Sequence, residues 1–148
     1  MLDRNAVGRT TPPTLNEVEK GAIRRFAESL GDYNPIYFDA EFARASGFMN
    51  IAAPPSFPTS FSSGVDLREL LGVPMRSLLL SELTYDYERP IVAGDRLFVT
   101  SRVGEVTERP GPTGRVEVAV LEDEGRDEDG KVVFRARRTY VVRGTKES

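Results

Sequence analysis

The feature that most constrains the fold is a change of hydrophobic period after Pro74, where apolar and polar residues begin to alternate. A period of two places successive side chains on opposite faces of a β-strand. The sequence predicts four strands, over residues 79–88, 96–106, 115–121 and 132–142. Turn-forming residues separate them, which is typical of an antiparallel meander. The acidic run at 122–129 is interpreted as an exposed hairpin tip, with a metal site as the alternative.

The first half of the chain carries helix signals instead. Thr14 to Glu17 match a capping box, and the apolar residues that follow recur at helical spacing, which predicts a helix over about residues 15–30. Asp39 is placed to cap a short second helix that runs through Ser46. A Pro-rich apolar segment, residues 51–61, is expected to cover the apolar face of the sheet with a helix drawn from residues 54–71, which Pro58 makes short or bent. Helices followed by an antiparallel sheet predict an α+β fold in one domain.

Length and composition agree with a single globular domain. The 148 residues suit one domain, 1–148, in which residues 1–13 form an N-terminal arm and residues 143–148 a frayed tail. Hydrophobic residues make up 39% of the chain, charged residues 29%, and the net charge is −3. No apolar run reaches the roughly 20 residues of a transmembrane helix, and no secretory signal is visible. We therefore expect no membrane partner and a cytoplasmic location.

Cysteine and histidine are both absent. Their absence excludes disulfides, thiolate metal sites and cysteine nucleophiles, and it removes the commonest general base at neutral pH. We expect no metal site and no cofactor. Any chemistry must depend on carboxylates, hydroxyls, tyrosine, lysine or backbone dipoles.

The densest group of special residues is G-D-Y-N-P-I-Y-F-D at residues 31–39. One interpretation is purely structural, because Gly ends a helix, Asn-Pro forms a turn and Asp begins the next helix. In the other, the turn holds Asp32, Asn34 and Tyr37 rigidly at a pocket, as a catalytic acid or base requires. The pattern alone leaves both open.

The segment G-D-Y-N-P-I-Y-F-D, followed by A-E-F-A-R-A-S-G-F, resembles the hydratase motif of MaoC-like hydratases and dehydratases, approximately G-D-x-N-P-[IL]-H-x-D. The resemblance continues through L-S-E-L-T-Y-D-Y-E-R-P-I-V-A-G-D-R-L and covers about 130 residues. Residues 53–57, A-P-P-S-F, are similar to the N-terminal-type dehydratase subgroup.

This resemblance implies a hot-dog fold, an antiparallel sheet wrapped around a central helix, and pairing of two such sheets edge to edge. The implied activity is reversible addition of water to a 2-enoyl thioester of coenzyme A or acyl carrier protein, or loss of water from the 3-hydroxyacyl thioester. The catalytic positions would be Asp32, Asn34 and Tyr37, and the substrate-binding positions Pro55, Ser56 and Phe57.

Two positions depart from the family motif. Tyr37 stands where the motif has histidine, and a tyrosine with a pKa near 10 is a poor base at pH 7. Ala53, Pro54 and Pro55 stand where the family has a His-Gly pair whose glycine offers an N–H, a donor that proline lacks. Losing a general base forfeits about 10²–10⁴-fold in rate, and losing an oxyanion donor about 10²–10³-fold.

Two other charged features have structural explanations. Arg89-Pro90 and Gly94-Asp95 are family-like, and we interpret them as a turn that ends a strand. Five positive charges are placed on the last strand: Lys131, Arg135, Arg137, Arg138 and Arg143. Because the chain is net acidic and lacks a matching motif, we expect edge protection, ion pairing or a phosphate contact rather than nucleic-acid binding.

Three functions remain open at this point. The first is a subunit of a hydratase or dehydratase whose histidine-bearing partner supplies the missing base, in a homodimer or a heterodimer of MaoC-like chains. The second is an enzyme by itself, such as a hot-dog thioesterase that uses Asp32. The third is a non-catalytic subunit that binds an acyl thioester without transforming it.

Overall fold

The computed structural model describes residues 2–112 and 114–142. A single five-stranded antiparallel sheet dominates the fold, in the order β1-β3-β4-β5-β2. Its strands are β1 (Thr14–Glu17), β2 (Leu78–Tyr87), β3 (Arg96–Gly111), β4 (Gly114–Arg126) and β5 (Val132–Val142). The helices are α1 (Lys20–Leu30), α2 (Ala40–Ala45) and α3 (Leu67–Leu71). The predicted α+β class is confirmed, and in the described part of the chain no helix is long and apolar enough to span a bilayer.

All four predicted strands are present, but β4 is longer than the alternation indicated. It runs to Arg126 because its acidic residues pair with basic residues of β5: Glu122 lies opposite Arg137, and Glu124 opposite Arg135. The interpretation of residues 122–129 as a hairpin tip is therefore wrong for its first half. Only residues 127–130 form the turn.

The predicted meander is correct for β3, β4 and β5 and wrong for β2, which pairs with β5 at the opposite side of the sheet. The connection after β2 cannot turn straight back because it is hydrogen-bonded elsewhere. The Glu88 N–H donates to the Val133 carbonyl at 2.8 Å, and the Ala93 N–H donates to the Ile51 carbonyl at 2.8 Å. These bonds carry the chain across the end of the sheet before β3 begins.

The first predicted helix begins later than its capping box indicated. Thr14–Glu17 form β1 and pair with Arg96–Val99 of β3, and α1 begins only at Lys20. The Thr14 hydroxyl, predicted to cap the helix, donates instead to the Ser63 carbonyl at 2.8 Å. Tertiary pairing thus outweighs the local helix signal. The predicted helix ends are confirmed: Gly31 has a φ of 68°, and Asp39 caps α2.

The helix expected from residues 54–71 is present only as two short pieces. They are a 3₁₀ turn, Phe57–Ser60, which has Pro58 among its first residues, and the separate α3; Gly64, with φ +73°, interrupts the path between them. The segment shares its covering role with α1. Ile23 and Ala27 of α1 are fully buried in one apolar cluster with Phe57 and with Phe134 of the sheet.

A second apolar cluster holds the other end of the sheet. It joins α3 to β3 and β4 and includes Leu2 and Ala6 from residues 1–13. The described part of the predicted N-terminal arm therefore packs against the rest of the domain. The tail at 143–148, with Arg143, lies outside the described residues.

Candidate functional site

The loop after α1 arranges its polar side chains around its own backbone. The Asp32 carboxylate accepts the Asn34 N–H at 3.1 Å, and the Asn34 side-chain oxygen accepts the Ile36 N–H at 3.2 Å. Both residues are exposed. These contacts shape the turn, and they leave one Asp32 carboxylate oxygen without a hydrogen bond to any described residue. The Asp32 and Asn34 side chains therefore hydrogen-bond within their own loop and remain exposed to solvent.

Tyr37 points the other way, into the protein. Its side chain is 7% exposed, and it lines an apolar groove of about 410 Å³ together with Phe48, Pro55 and Ile91. Burial raises the pKa of the Tyr37 hydroxyl above its ordinary value, and the nearby Asp32 charge raises it further. At neutral pH this hydroxyl is protonated and offers a hydrogen bond rather than a base.

The structure places the three predicted substrate-binding residues in different surroundings. Pro55 lines the groove beside Tyr37. Ser56 begins the 3₁₀ turn and is half-buried. Phe57 is 3% exposed and packs edge-to-face on Phe26 of α1, with the ring centroids 5.4 Å apart, so it belongs to the core.

The groove wall at residues 52–55 offers no backbone donor. The Ala52 N–H donates to the Ile36 carbonyl at 2.9 Å, and the Ala53 N–H donates to the Ile91 carbonyl at 2.8 Å. Pro54 and Pro55 have no N–H. The groove can therefore hold an apolar group, but this wall cannot stabilise a developing oxyanion.

Aromatic side chains separate this groove from the interior of the sheet. The Tyr87 hydroxyl donates to the Pro55 carbonyl, and the Tyr87 ring lies 5.9 Å from Tyr85 and 6.3 Å from Phe134. Burial, with a smaller contribution from Tyr85, raises the pKa of Tyr87 well above its ordinary value. The period-two pattern had already put Tyr85 and Tyr87 on one face of a strand, although it gave no sign of their contact with Pro55.

A second, inner cavity of about 150 Å³ lies beyond these rings, between the sheet and the 3₁₀ turn. Its polar end is built from Ser101, Asp123 and Arg138. Asp123 accepts the Ser101 hydroxyl at 2.6 Å and an Arg138 N–H at 2.8 Å. Burial by itself would lower the pKa of Arg138, but hydrogen bonds and charge from Asp123 outweigh it and raise the value. Sequence reasoning missed this cluster because Asp123 and Arg138 stand in runs of surface charges.

The turn between β2 and β3 is held by an ion pair at one end of the groove. Two Arg89 nitrogens donate to the two Asp95 carboxylate oxygens at 2.8 and 3.1 Å, and Asp95 also accepts the Val92 N–H at 2.9 Å. These contacts support the structural interpretation of Arg89 and Asp95. Within the described residues, no group of three acidic side chains could hold a metal ion.

The family follows from a match over most of the chain. Residues 5–136 match the family model described as FAS1-like, dehydratase domain region. The chain belongs to this dehydratase family. A similar curated protein, the UPF0336 protein of Streptomyces griseus, is 38% identical over 152 aligned residues and is covered, like this chain, over 99% of its length.

Solved structures similar to this dehydratase-family chain show its fold. The HadBC (3R-hydroxyacyl-ACP dehydratase) complex of Mycobacterium tuberculosis superposes with a TM-score of 0.78 at 23% identity, over 92% of this chain and 96% of that one. A MaoC-like dehydratase superposes with a TM-score of 0.83 at 24% identity, over 96% of this chain but only 43% of the longer chain. The predicted MaoC-like resemblance and the single hot-dog domain are confirmed.

Proposed function

We propose that this chain is the acyl-thioester-binding subunit of a MaoC-like hydratase or dehydratase whose catalytic histidine comes from a partner subunit. The observation that carries the proposal is the groove at Tyr37. It is apolar and large enough for part of an acyl thioester, yet its wall at residues 52–55 has no free backbone donor and its hydroxyl has a raised pKa. An apolar site is retained, while the chain has no histidine for proton transfer and residues 52–55 supply no oxyanion donor.

The substrate we propose is a 3-hydroxyacyl or 2-enoyl thioester of coenzyme A or acyl carrier protein. Its support is membership of the dehydratase family together with the similarity to a 3R-hydroxyacyl-ACP dehydratase complex. The groove is lined mainly by apolar side chains, which suits a hydrocarbon chain better than a sugar or a nucleotide. A cytoplasmic location, expected from the sequence, is part of the same proposal.

The edge strand β2 supports a partner that continues the sheet. Leu79 and Leu80 on this strand are 44% and 48% exposed, and the strand has a neighbour, β5, on one side only. An unpaired apolar edge is a liability that a second sheet removes. Two similar structures are complexes, HadBC and ChsH1-ChsH2 of Mycobacterium tuberculosis. We propose a dimer with a MaoC-like subunit across this edge.

Hydration of crotonyl-coenzyme A tests the proposal. The purified chain is assayed alone and after mixing with a MaoC-like protein from the same cell that carries the histidine motif. We expect no activity from this chain alone, and more activity from the mixture than from the histidine-bearing protein alone. Equal activity of this chain with and without the partner would contradict the proposal.

One observation favours a second function, in which Asp32 itself acts on a thioester. Asp32 matches the aspartate of the family motif, and one of its carboxylate oxygens makes no hydrogen bond to a described residue. If Asp32 is the catalytic group, Asp32→Asn abolishes turnover and leaves the melting temperature nearly unchanged. If it only braces the turn, the same change costs about 1 kcal/mol of stability and leaves the activity of the complex intact. Tyr37→His is the complementary variant, since it restores the family's base beside Asp32.

A further inference from the structure

The inner cavity is more polar than an acyl pocket needs to be. Adjacent strands in register bring Ser101, Asp123, Ala136 and Tyr85 side by side across β3, β4, β5 and β2. Because Ala136 is small, the space above it joins the Tyr85 ring to the Asp123 carboxylate. All of these except Ala136 line the cavity.

The burial of the Asp123–Arg138 pair inside this cavity is weak evidence that the pair stabilises the fold. Their side chains are 12% and 21% exposed, and the ion-pair nitrogen and oxygen are 2.7 Å apart. Removing two charges from water largely cancels their attraction, and apolar residues of similar volume commonly replace such pairs without loss. A role in recognition explains the pair better than a role in folding.

Two tyrosine hydroxyls complete the polar end and keep unused hydrogens. The Tyr140 oxygen accepts an Arg138 N–H at 3.0 Å, and Tyr140 donates to no described residue. The Tyr85 hydroxyl makes no hydrogen bond within the described residues, and Asp123, Arg138 and Tyr140 all act electrostatically on it. Hydroxyls removed from bulk water normally find a partner. Both oxygens of Asp123 already face Arg138, and the buried Arg138 Nε also has no hydrogen-bond partner within the described residues, so the cluster keeps unused donors.

The size and opening of the cavity limit what it can accept. A dry apolar cavity of about 150 Å³ in another protein admits benzene, which has six carbon atoms. The lining residues Thr59 and Leu80 are exposed, so the cavity opens between the 3₁₀ turn and the edge strand β2. An acyl tail therefore enters from the edge at which we place the partner subunit and its histidine, and not through the groove at Tyr37, from which the aromatic rings separate the cavity.

We propose that the inner cavity binds the distal end of the acyl group, about six non-hydrogen atoms long, and selects tails that carry a neutral hydroxyl or keto oxygen. This inference rests on the proposed acyl-thioester function. Tyr85 and Tyr140 donate to the oxygen, and the Asp123–Arg138 pair holds the two hydroxyls in place. A terminal carboxylate is disfavoured because Asp123 already balances the Arg138 charge, so the carboxylate would leave a net negative charge in the cavity.

Calorimetric titration of the full chain with three N-acetylcysteamine thioesters tests this: hexanoyl, 6-hydroxyhexanoyl and adipoyl. We expect the hydroxy ester to bind about tenfold more tightly than the hexanoyl ester, as one or two added neutral hydrogen bonds allow, and the adipoyl ester to bind most weakly. Tyr85→Phe and Tyr140→Phe each reduce the preference for the hydroxy ester and keep the ring packing. Tyr33→Phe, at an exposed ring outside both cavities, is the matched control and keeps the preference.

The outcomes separate the two proposals. Equal binding of the hexanoyl and hydroxy esters, or a preference that survives both tyrosine variants, overturns the selection of a distal oxygen and leaves the acyl-binding function standing. Tightest binding of the adipoyl ester also overturns it. Failure of all three esters to bind contradicts the acyl-binding function together with this inference.

Discussion

The core requires glycine at position 125, because it has no room for a side chain there. Gly125 lies opposite Phe134 in the β4–β5 register, and a methyl group on it would overlap the Phe134 ring. We expect Gly125→Ala to lower the free energy of unfolding by about 1–3 kcal/mol through overpacking. Urea unfolding followed by circular dichroism measures the change.

The matched control for this prediction is Gly21→Ala. Gly21 lies in α1, and an added methyl group would meet only the flexible end of Arg25. Because alanine favours a helix, we expect Gly21→Ala to be neutral or to stabilise the protein by up to about 1 kcal/mol. If Gly125→Ala is equally neutral, the tight packing of Phe134 on β4 is wrong.

Tyr85 gives the protein a pH dependence at alkaline pH. Burial, with a smaller effect of the Asp123 charge, raises the pKa of Tyr85 to about 12, against an ordinary value of 10.0 in the unfolded chain. The contribution of Tyr85 to stability is therefore complete below pH 10 and is lost as the pH rises from about 10 to about 12. Unfolding free energies across this range should fall less steeply for Tyr85→Phe. The control variant Tyr33→Phe, at an exposed ring, should keep the pH dependence of the unaltered chain. If Tyr85→Phe also keeps it, Tyr85 is not the source of this pH dependence.

At the scale of single residues, the sequence predicted the turn residues well and the inner cavity not at all. Asp39 and Gly31 take the capping roles expected of them because such signals depend on neighbours within a few residues. Asp123 contacts Arg138 of another strand, and no local pattern identifies that pair. Asp123 stands two residues after the buried Leu121, so both side chains lie on the same face of the strand. This spacing indicates that Asp123 faces the interior.

Among the elements, the connection between β2 and β3 depends most on a single side chain. Asp95 accepts three hydrogen bonds, two from Arg89 and one from the Val92 N–H, and it is 15% exposed. We expect Asp95→Asn to destabilise the protein by about 1–3 kcal/mol, because hydrogen bonds to a charged group are lost. Differential scanning calorimetry measures the shift.

Glu28→Gln serves as the control for the Asp95 variant. Glu28 forms an exposed ion pair with Arg24 one turn away in α1. Such pairs contribute a few tenths of a kcal/mol at most, so its melting temperature should hardly change. Equal effects of the two variants would mean that the turn at Asp95 does not depend on its ion pair.

The elements that the sequence mispredicted are those defined by distant partners. The four long strands were predictable because alternation is a local property of each. Thr14–Glu17 also carry a complete local signal, for a helix, yet they pair with β3 some eighty residues away and become a strand. The placement of β2 beside β5 likewise depends on pairing across the whole β3–β4 hairpin. The site loop was predicted as a unit, and Tyr37 and Pro55 do line one groove.

For the whole molecule, the proposed dimer makes the exposed edge of β2 the surface to alter. Leu79 on β2 and Leu30 at the end of α1 are 44% and 54% exposed, so neither is needed by the core. We expect Leu79→Lys to prevent association across the edge and Leu30→Lys to leave it intact, with melting temperatures nearly unchanged in both. Light scattering of the reconstituted complex measures the mass. Assembly that survives Leu79→Lys would place the partner elsewhere.

The position of β2 in the sheet also affects how the protein is made. β2 ends at Tyr87 and its partner β5 begins at Val132, so a ribosome adding roughly 5–20 residues per second takes several seconds to supply the pairing strand. During that interval the run Leu78-Leu79-Leu80 has no strand to pair with on either side. The carboxylates at Glu82, Asp86 and Glu88 follow directly, and charges placed beside an apolar strand hinder aggregation. The same acidic residues that border the edge of the finished sheet therefore protect the nascent chain, and synthesis alongside the partner subunit should raise the yield of folded protein.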